Sequence, residues 1–181
     1  MNHFKTCTAQ LSILLLLVAT GCGITAPRSS EGYADLDSLG FVDTDSTLSL
    51  SFGPSTLRLV ASFIDEDPET KELLMNLDGV RVKIYDIVRG QERVAQRIDK
   101  MTAKLRKQGW ETVITVQEAH ERTHVLVKMN GPVIAGLTVI ALDEHEAVIV
   151  NVMGNLSPEM FSGTMAALEV EVPGVQVAAS E

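Results

Sequence analysis

The amino-acid sequence predicts an α+β domain in which helices pack on an antiparallel β-meander of four to six strands. Two observations support this prediction. Four strand-like segments follow one another between residues 110 and 153, and the short polar links between them favour antiparallel neighbours. Helical segments lie before and after this run, and such separation of helices from strands along the chain is typical of the α+β class.

The first part of the predicted domain contains a strand, two helices and a second strand. Thr47–Phe52 alternates apolar and polar residues as a short strand does, and residues 54–64 carry apolar side chains at helical spacing. Asp67-Pro68-Glu69 supplies an N-cap, a proline at the first helical position and a first-turn acid for a helix that ends near Leu77. Residues 80–85 alternate again, which predicts a half-buried strand.

A long helix and the four strands follow. Residues 91–108 form the helix, and Gly109 is its stop signal. The apolar face of this helix consists of Val94, Ile98, Met101 and Leu105. The predicted strands are Trp110–Val116, Thr123–Met129, Val133–Leu142 and Ala147–Met153. The third of them is apolar on both faces and is therefore expected at the centre of the sheet.

The domain is predicted to close with one more helix. Ser157-Pro158-Glu159 has the residues of a helix start, and the helix is expected to extend to Leu168. Its buried side consists of Phe161, Met165 and Leu168. Residues 169–181 are expected to form a loose C-terminal tail.

The first 21 residues have the pattern of a secretory signal. A start with one lysine (Lys5) and no acid is followed by a short apolar run from Leu11 to Val18. A membrane-spanning helix needs about 20 apolar residues, so this run is too short to cross a bilayer. Small residues then lead to Cys22, as at the exit of a signal peptide. We therefore expect residues 1–21 to be removed.

The segment Ala19-Thr20-Gly21-Cys22 resembles the bacterial lipobox, in which a peptidase cuts just before the cysteine. In proteins with this motif, the thiol carries a thioether-linked diacylglycerol and the new amino terminus is acylated. Ala19 departs from the pattern, which usually has leucine there. The resemblance predicts that Cys22 is the lipidated first residue of the mature chain. The alternative is an ordinary signal peptide that contains a cysteine by chance.

An acylated Cys22 determines the expected location of the protein. Two or more acyl chains give stable membrane attachment. Gly23 follows the cysteine, at a position where aspartate often marks lipoproteins of the inner membrane. In a Gram-negative cell we therefore expect the outer membrane, with the protein facing the periplasm.

Residues 22–46 are expected to form a flexible tether between the acylated cysteine and a single domain at 47–168. The stretch is rich in Gly, Ser, Pro and Asp and lacks an apolar period, and a coil of this length spans on the order of 25 Å. The tether also contains scattered larger side chains, so docking of part of it on the domain stays open. These side chains are Tyr33, Leu36, Leu39 and Phe41.

Charge and cysteine content exclude several classes of protein. The chain has a net charge of −9, and loss of Lys5 with the signal leaves the remainder more acidic. Such a chain is not expected to bind nucleic acid, nor to be attracted to anionic lipid by charge. Of the 2 cysteines, Cys7 lies in the signal and Cys22 is the acylation site, so no disulfide is expected in the domain. The sequence also lacks a Gly-rich phosphate loop and a G-x-S-x-G motif, and no cofactor is predicted.

Residues 120–124, HERTH, match the H-E-x-x-H motif of zinc peptidases. That spacing works on a helix, where histidines four residues apart reach one Zn²⁺. Here the flanking segments are rich in β-branched residues, so the motif is expected to cross a hairpin turn and enter a strand. In an extended strand His120 and His124 would lie about 13 Å apart, too far to share a metal. The match is interpreted as accidental, and the protein is not predicted to be an enzyme.

A weaker metal-site candidate follows from hairpin geometry. Alternate turns of a meander lie at the same end of the sheet, so the 117–122 turn is expected near the 143–146 turn. The side chains concerned are His120, Asp143, His145 and Glu146. The interpretation that we favour is two solvated polar turns without a metal.

A line of basic residues follows the helix predicted at 91–108. Its members are Arg93, Arg97, Lys100, Lys104 and Lys107, and their spacing places them on one side of the helix. This basic stripe suits lipid headgroups, an anionic polymer or an acidic partner. Solvated flanks of amphipathic helices have the same appearance, so both interpretations stay open.

The helix predicted at 54–64 carries apolar residues on two sides. One face consists of Leu57, Val60, Ala61 and Ile64, and Leu59 and Phe63 point nearly the other way. One interpretation is burial on both sides. The other is a surface apolar patch that contacts a partner or the membrane.

From about Thr47 to Leu168 the sequence resembles a bacterial family known as domain of unknown function DUF4252. The resemblance rests on GVRVKIYDI at 79–87, GW at 109–110 and VNVMGNLSPE at 150–159. It implies an exported or lipid-anchored protein with an α+β domain. Because these motifs are mostly fold residues, it implies no catalytic residue, and it places HERTH in a variable hairpin.

The sequence thus predicts a lipid-anchored envelope protein of unknown activity. We expect a non-enzymatic domain that binds an envelope protein or an anionic ligand, in sensing or signalling. Two alternatives stay open. One is a structural or assembly role, including a homo-oligomer formed through an uncovered sheet face, and the other is an enzyme whose site the sequence does not reveal.

Overall fold

The computed structural model of the protein describes residues 23–36, 47–87, 90–118 and 121–157. The strands are β1 (Leu48–Phe52), β2 (Leu77–Asp86), β3 (Trp110–Gln117), β4 (Arg122–Asn130), β5 (Val133–Leu142) and β6 (Glu146–Leu156). The helices are α1 (Pro54–Ala61), α2 (Pro68–Asn76) and α3 (Gln91–Lys107). The predicted signal, Cys22, most of the last predicted helix and the tail at 169–181 lie outside the described residues.

The six strands form one open antiparallel sheet in the order β1-β2-β6-β5-β4-β3. The meander predicted for the second half of the chain is β3 to β6, and β2 pairs with β6 to add the first two strands. The apolar strand β5 lies between β4 and β6, which confirms its central position. The α+β class is therefore confirmed for the described part of the chain.

Helix α3 covers one face of the sheet. Its buried side chains are Ala95, Ile98, Met101, Thr102 and Leu105. The four apolar ones among them pack with Leu126, Ile140 and Ile149 in one apolar cluster. Ile140 lies directly opposite Ile149 in the ladder, and side chains opposite one another share a face. The helical period of the sequence therefore identified the buried side of α3.

Helices α1 and α2 pack on the opposite face. Asp67 begins α2 as predicted, because its carboxylate accepts a hydrogen bond from the Thr70 N–H at 3.0 Å. Leu57 of α1 belongs to a second apolar cluster with strand residues such as Val127. Val127 follows Leu126 in β4, and successive strand residues point to opposite faces. Helices α1 and α3 thus lie on opposite sides of the sheet.

Residues 32–36, at the end of the N-terminal segment 23–36, pack on the α3 face instead of forming part of the expected flexible tether. Ala34 and Leu36 are fully buried, and both belong to the apolar cluster beneath α3. The Arg81 guanidinium lies 4.9 Å from the centre of the Tyr33 ring, a cation–π contact. The open possibility that Tyr33 and Leu36 dock on the domain is therefore confirmed. Leu39 and Phe41 lie outside the described residues.

Asn151 of β6 holds this segment on the sheet. Its side-chain carbonyl accepts a hydrogen bond from the Ala34 N–H at 3.1 Å, and its amide donates to the Gly32 carbonyl at 3.0 Å. Gly32 lies directly on β5, where a Cβ added to Gly136 would be 2.7 Å from the Gly32 Cα. Only a glycine at 136 permits so close a backbone approach. Residues 32–36 are consequently a fixed layer of the domain.

Candidate functional site

The described residues offer four surfaces on which a function could rest. They are the basic stripe on α3, an apolar patch on α1, the HERTH hairpin with the neighbouring turn, and a cleft between α3 and the β3–β4 hairpin. No helix in the described ranges is long and apolar enough to cross a membrane.

The basic stripe lies on the side of α3 that faces away from the sheet. Arg93, Lys100 and Lys107 are exposed, and Arg97 is half-buried. Lys104 forms an ion pair with Asp35 of the N-terminal segment, with 3.1 Å between Nζ and Oδ2. The structure therefore brings the five cations into one surface line, and one of them also helps to hold residues 23–36.

Helix α1 presents its second apolar side to solvent. Leu57 and Ala61 are buried against the sheet, whereas Leu59, Val60 and Phe63 are exposed. Burial on two sides is therefore wrong, and α1 carries a surface apolar patch. Val60 belongs to this patch and not to the buried face that its spacing predicted. The reason is that α1 packs on the sheet through a narrow line of small and medium side chains.

The HERTH motif does not form a helix in its described residues. Arg122, Thr123 and His124 lie in β4, and the hairpin before it is closed by the Glu118 N–H donating to the Glu121 carbonyl at 2.9 Å. This confirms the expected turn-and-strand geometry, which lacks the shared helical face of zinc peptidases. His120 lies outside the described residues.

His124 is half-buried beneath α3. Its Nδ1 lies 3.4 Å from the Thr115 hydroxyl on β3. Burial lowers the pKa of His124 below its usual value, and the nearby Arg122 and Arg106 lower it further while Asp99 raises it. The imidazole is therefore neutral at neutral pH and packs as part of the helix–sheet interface.

The turn after β5 is built around Asp143. Its Oδ1 accepts hydrogen bonds from the N–H groups of His145 at 2.6 Å and Glu146 at 2.8 Å. These two donors hold the pKa of Asp143 below its usual range. Asp143 is thus occupied as a turn-forming residue, and no group of three or more metal-ligating side chains occurs within the described ranges.

A cleft of about 300 Å³ opens between the start of α3 and the β3–β4 hairpin. Its lining consists of Gln91, Glu92, Ala95, Gln117, Glu118, Glu121, Arg122 and Leu142. Most of these side chains are polar or charged, whereas small-molecule sites are lined mainly by apolar and aromatic groups. The lining does show that the 117–122 hairpin lies close to the first residues of α3 and to the end of β5. This confirms the expectation that the 117–122 turn and the turn after β5 lie at the same end of the sheet.

Together, the fold and these surfaces describe an α+β domain with a six-stranded antiparallel sheet and a surface-exposed basic helix. The model of one protein family, described as a domain of unknown function (DUF4252), matches residues 41–163. The chain belongs to this family. Residues 23–36 precede the matched region. No curated protein matches the sequence.

Asn151, which fixes the N-terminal segment, is not among the residues that the sequence patterns single out. Asn151 stands in the run VIVNVM, where every second residue faces the α3 side of the sheet. A buried asparagine at such a position requires hydrogen-bond partners, because a buried amide without them is costly. That rule predicts polar partners around Asn151, and the backbone of residues 32–34 supplies two of them.

Proposed function

We propose that this protein is a lipid-anchored envelope protein whose domain is a non-enzymatic binding module, and that the basic stripe on α3 binds an acidic envelope partner. The observation that carries the proposal is the stripe itself. Five cations share the outer side of one helix in a chain with a net charge of −9.

The stripe is mildly unfavourable for the isolated helix. Like charges four residues apart, such as Arg93 and Arg97, destabilise a helix by about 0.2–0.5 kcal/mol for each pair. The contact between Lys104 and Asp35 offsets part of this repulsion. Lys100 and Lys107 stay exposed to solvent and are suited to meet an external acidic surface. A complementary charge pattern accelerates association and selects the partner.

Charge reversal on α3 tests the partner. In Lys100→Glu/Lys107→Glu the ion pair of Lys104 is retained. The control is Lys71→Glu/Lys128→Glu on other elements, with the same change in net charge; it breaks the ion pair of Lys71 with Asp65, and such a surface pair contributes little to stability. The acylated proteins are cross-linked in membranes, and the recovered partners are compared by mass spectrometry. We expect the wild type and the control to recover the same acidic protein and the α3 variant to lose it. Equal recovery by all three proteins would contradict the proposed role of the stripe.

Metabolic labelling tests the anchor. Radiolabelled palmitate is expected to enter the wild-type protein and not Cys22→Ser, because the cysteine thiol is the attachment point of the diacylglycerol. The same two proteins are then fractionated, and only the wild type is expected in the membrane fraction. Equal labelling of both proteins would contradict lipidation at Cys22.

A further inference from the structure

The residue that follows Cys22 is fixed on the first turn of α1. Gly23 lies in close contact with the Ser55 side chain, and the Ile24 carbonyl accepts hydrogen bonds from the Gly53 N–H at 2.7 Å and the Thr56 hydroxyl at 3.1 Å. A Cβ at position 53 would collide with the Gly23 carbonyl, so a glycine is needed there for this approach. The backbone is thus attached to α1 at the first residue that the structure describes.

The reach of an acylated Cys22 is therefore very short. Consecutive Cα atoms are about 3.8 Å apart, so a group attached to Cys22 starts about one residue from the fixed Gly23. A free coil over residues 22–46 would span on the order of 25 Å instead. Acyl chains attached to Cys22 would therefore enter the bilayer beside the start of α1 and bring the surface around that point to the membrane.

That surface is apolar. Ser55, which contacts Gly23, is followed along α1 by Leu59, and Phe63 continues the same line beyond the end of the helix. Leu59 is 59% exposed, Phe63 79%, Val60 48% and Ile24 60%. Ile24 lies beside Thr56, which is one turn before Val60 on α1, so the four exposed large apolar side chains surround this helix. A cluster of this kind is unusual for a surface that meets only water. We call the set of Ile24, Leu59, Val60 and Phe63 the α1 patch.

We infer that the α1 patch inserts into the lipid bilayer next to the acyl chains of Cys22. The inference rests on the proposed anchoring, and it adds that the domain is seated on the membrane in one orientation. Continuity with the anchor favours lipid over a second copy or a protein partner, because acyl chains that start within one residue of Gly23 bring this surface to the bilayer in every molecule. Apolar insertion does not depend on charge, which suits an acidic domain.

The orientation has a consequence for α3. Helices α1 and α3 lie on opposite faces of the sheet. With the α1 patch in the bilayer, the basic stripe points away from the membrane and towards the aqueous compartment. The stripe is then available to an acidic protein and not to lipid headgroups of the same membrane.

A single thiol probe on the acylated protein tests the inference. In the processed protein of the proposal, Cys7 is removed with the signal and the Cys22 thiol is bonded to lipid. Phe63→Cys therefore has one free thiol that reacts with a bimane label. The matched control is Val113→Cys on β3, which is 48% exposed and lies at the opposite edge of the sheet from β1. Both labelled proteins are reconstituted into phosphatidylcholine vesicles, with and without a doxyl-labelled lipid that quenches bimane within the bilayer.

We expect several-fold stronger quenching at position 63 than at position 113, unchanged by high salt. Flotation with the vesicles is measured on the same samples and reports the anchor alone. Proteins that float with equal, weak quenching at both positions would overturn the insertion of the α1 patch and leave the anchoring intact. A blue-shifted bimane at position 63 that lipid does not quench would show the patch covered by protein, and would also overturn it. Failure to float would refute the proposed anchoring and with it this inference.

Discussion

Replacement of Asn151 by leucine removes the hydrogen bonds that hold the N-terminal segment on the sheet and keeps the size of the side chain nearly constant. In the wild type, Asn151 is fully buried and bonds to the Ala34 N–H, the Gly32 carbonyl, the Leu137 carbonyl and the Thr138 hydroxyl. The variant removes a side chain that joins residues 32–34 to β6. We therefore expect both a loss of global stability and a local loosening of the segment.

The expected loss of unfolding free energy follows from the buried backbone groups that lose their hydrogen-bond partner in the variant. A buried backbone group that loses its partner costs about 1–3 kcal/mol, and Ala34 and Gly32 each contribute one such group. Partial detachment of the segment lets water reach these groups and limits the sum. We expect the free energy of unfolding to fall by about 3 kcal/mol.

Two measurements check this expectation. Urea unfolding is followed by the fluorescence of Trp110, the single tryptophan, which is buried in the α3 cluster. Hydrogen exchange at the Ala34 amide reports the segment directly, and its protection is expected to drop more than that of core strands. The matched control is Asn155→Leu, an exposed asparagine of the same strand, for which we expect a change within about 0.5 kcal/mol. An Asn151→Leu protein with wild-type stability and an equally protected Ala34 amide would refute the reasoning.

Three further predictions follow from the same structure. Leu36→Ala is expected to destabilise the domain by about 2–5 kcal/mol in urea unfolding, since Leu36 is fully buried; a negligible change would mean that the segment is a free tether after all. Folding lowers the pKa of His124, so as the pH falls the unfolded chain binds a proton before the folded chain does. We therefore expect the free energy of unfolding to be unaffected by His124 above the unfolded pKa near 6.5 and to decrease as the pH drops below it. His124→Asn should flatten this acid-side decline in melting temperature between about pH 7 and about pH 5, and an unchanged slope would show that other groups cause it. Treatment with a chelator is expected to leave the melting temperature unchanged, because no cluster of three or more metal-ligating side chains occurs within the described ranges, whereas loss of cooperative unfolding would reveal a structural metal.

Local patterns in the sequence determined most of the secondary structure. Apolar residues recur at helical spacing in α3 and alternate in β2, and these periods reflect which side of an element must leave water. The same reasoning placed HERTH across a hairpin, because β-branched residues flank it. It also identified the five cations of the basic stripe, since helical spacing alone puts them on one line.

The tertiary structure decided how residues 23–36 and the two sides of α1 are used. Residues 23–36 have no apolar period, so their composition predicts a coil; they are ordered by long-range contacts with Asn151, Arg81 and Lys104. Such contacts depend on residues that are far apart in sequence, and no local pattern reports them. The two apolar sides of α1 were likewise visible in the sequence, but only packing on the sheet determines that Leu57 is buried while Leu59 and Phe63 remain exposed. Burial is a property of the assembled layers, and no local pattern in the sequence reports it.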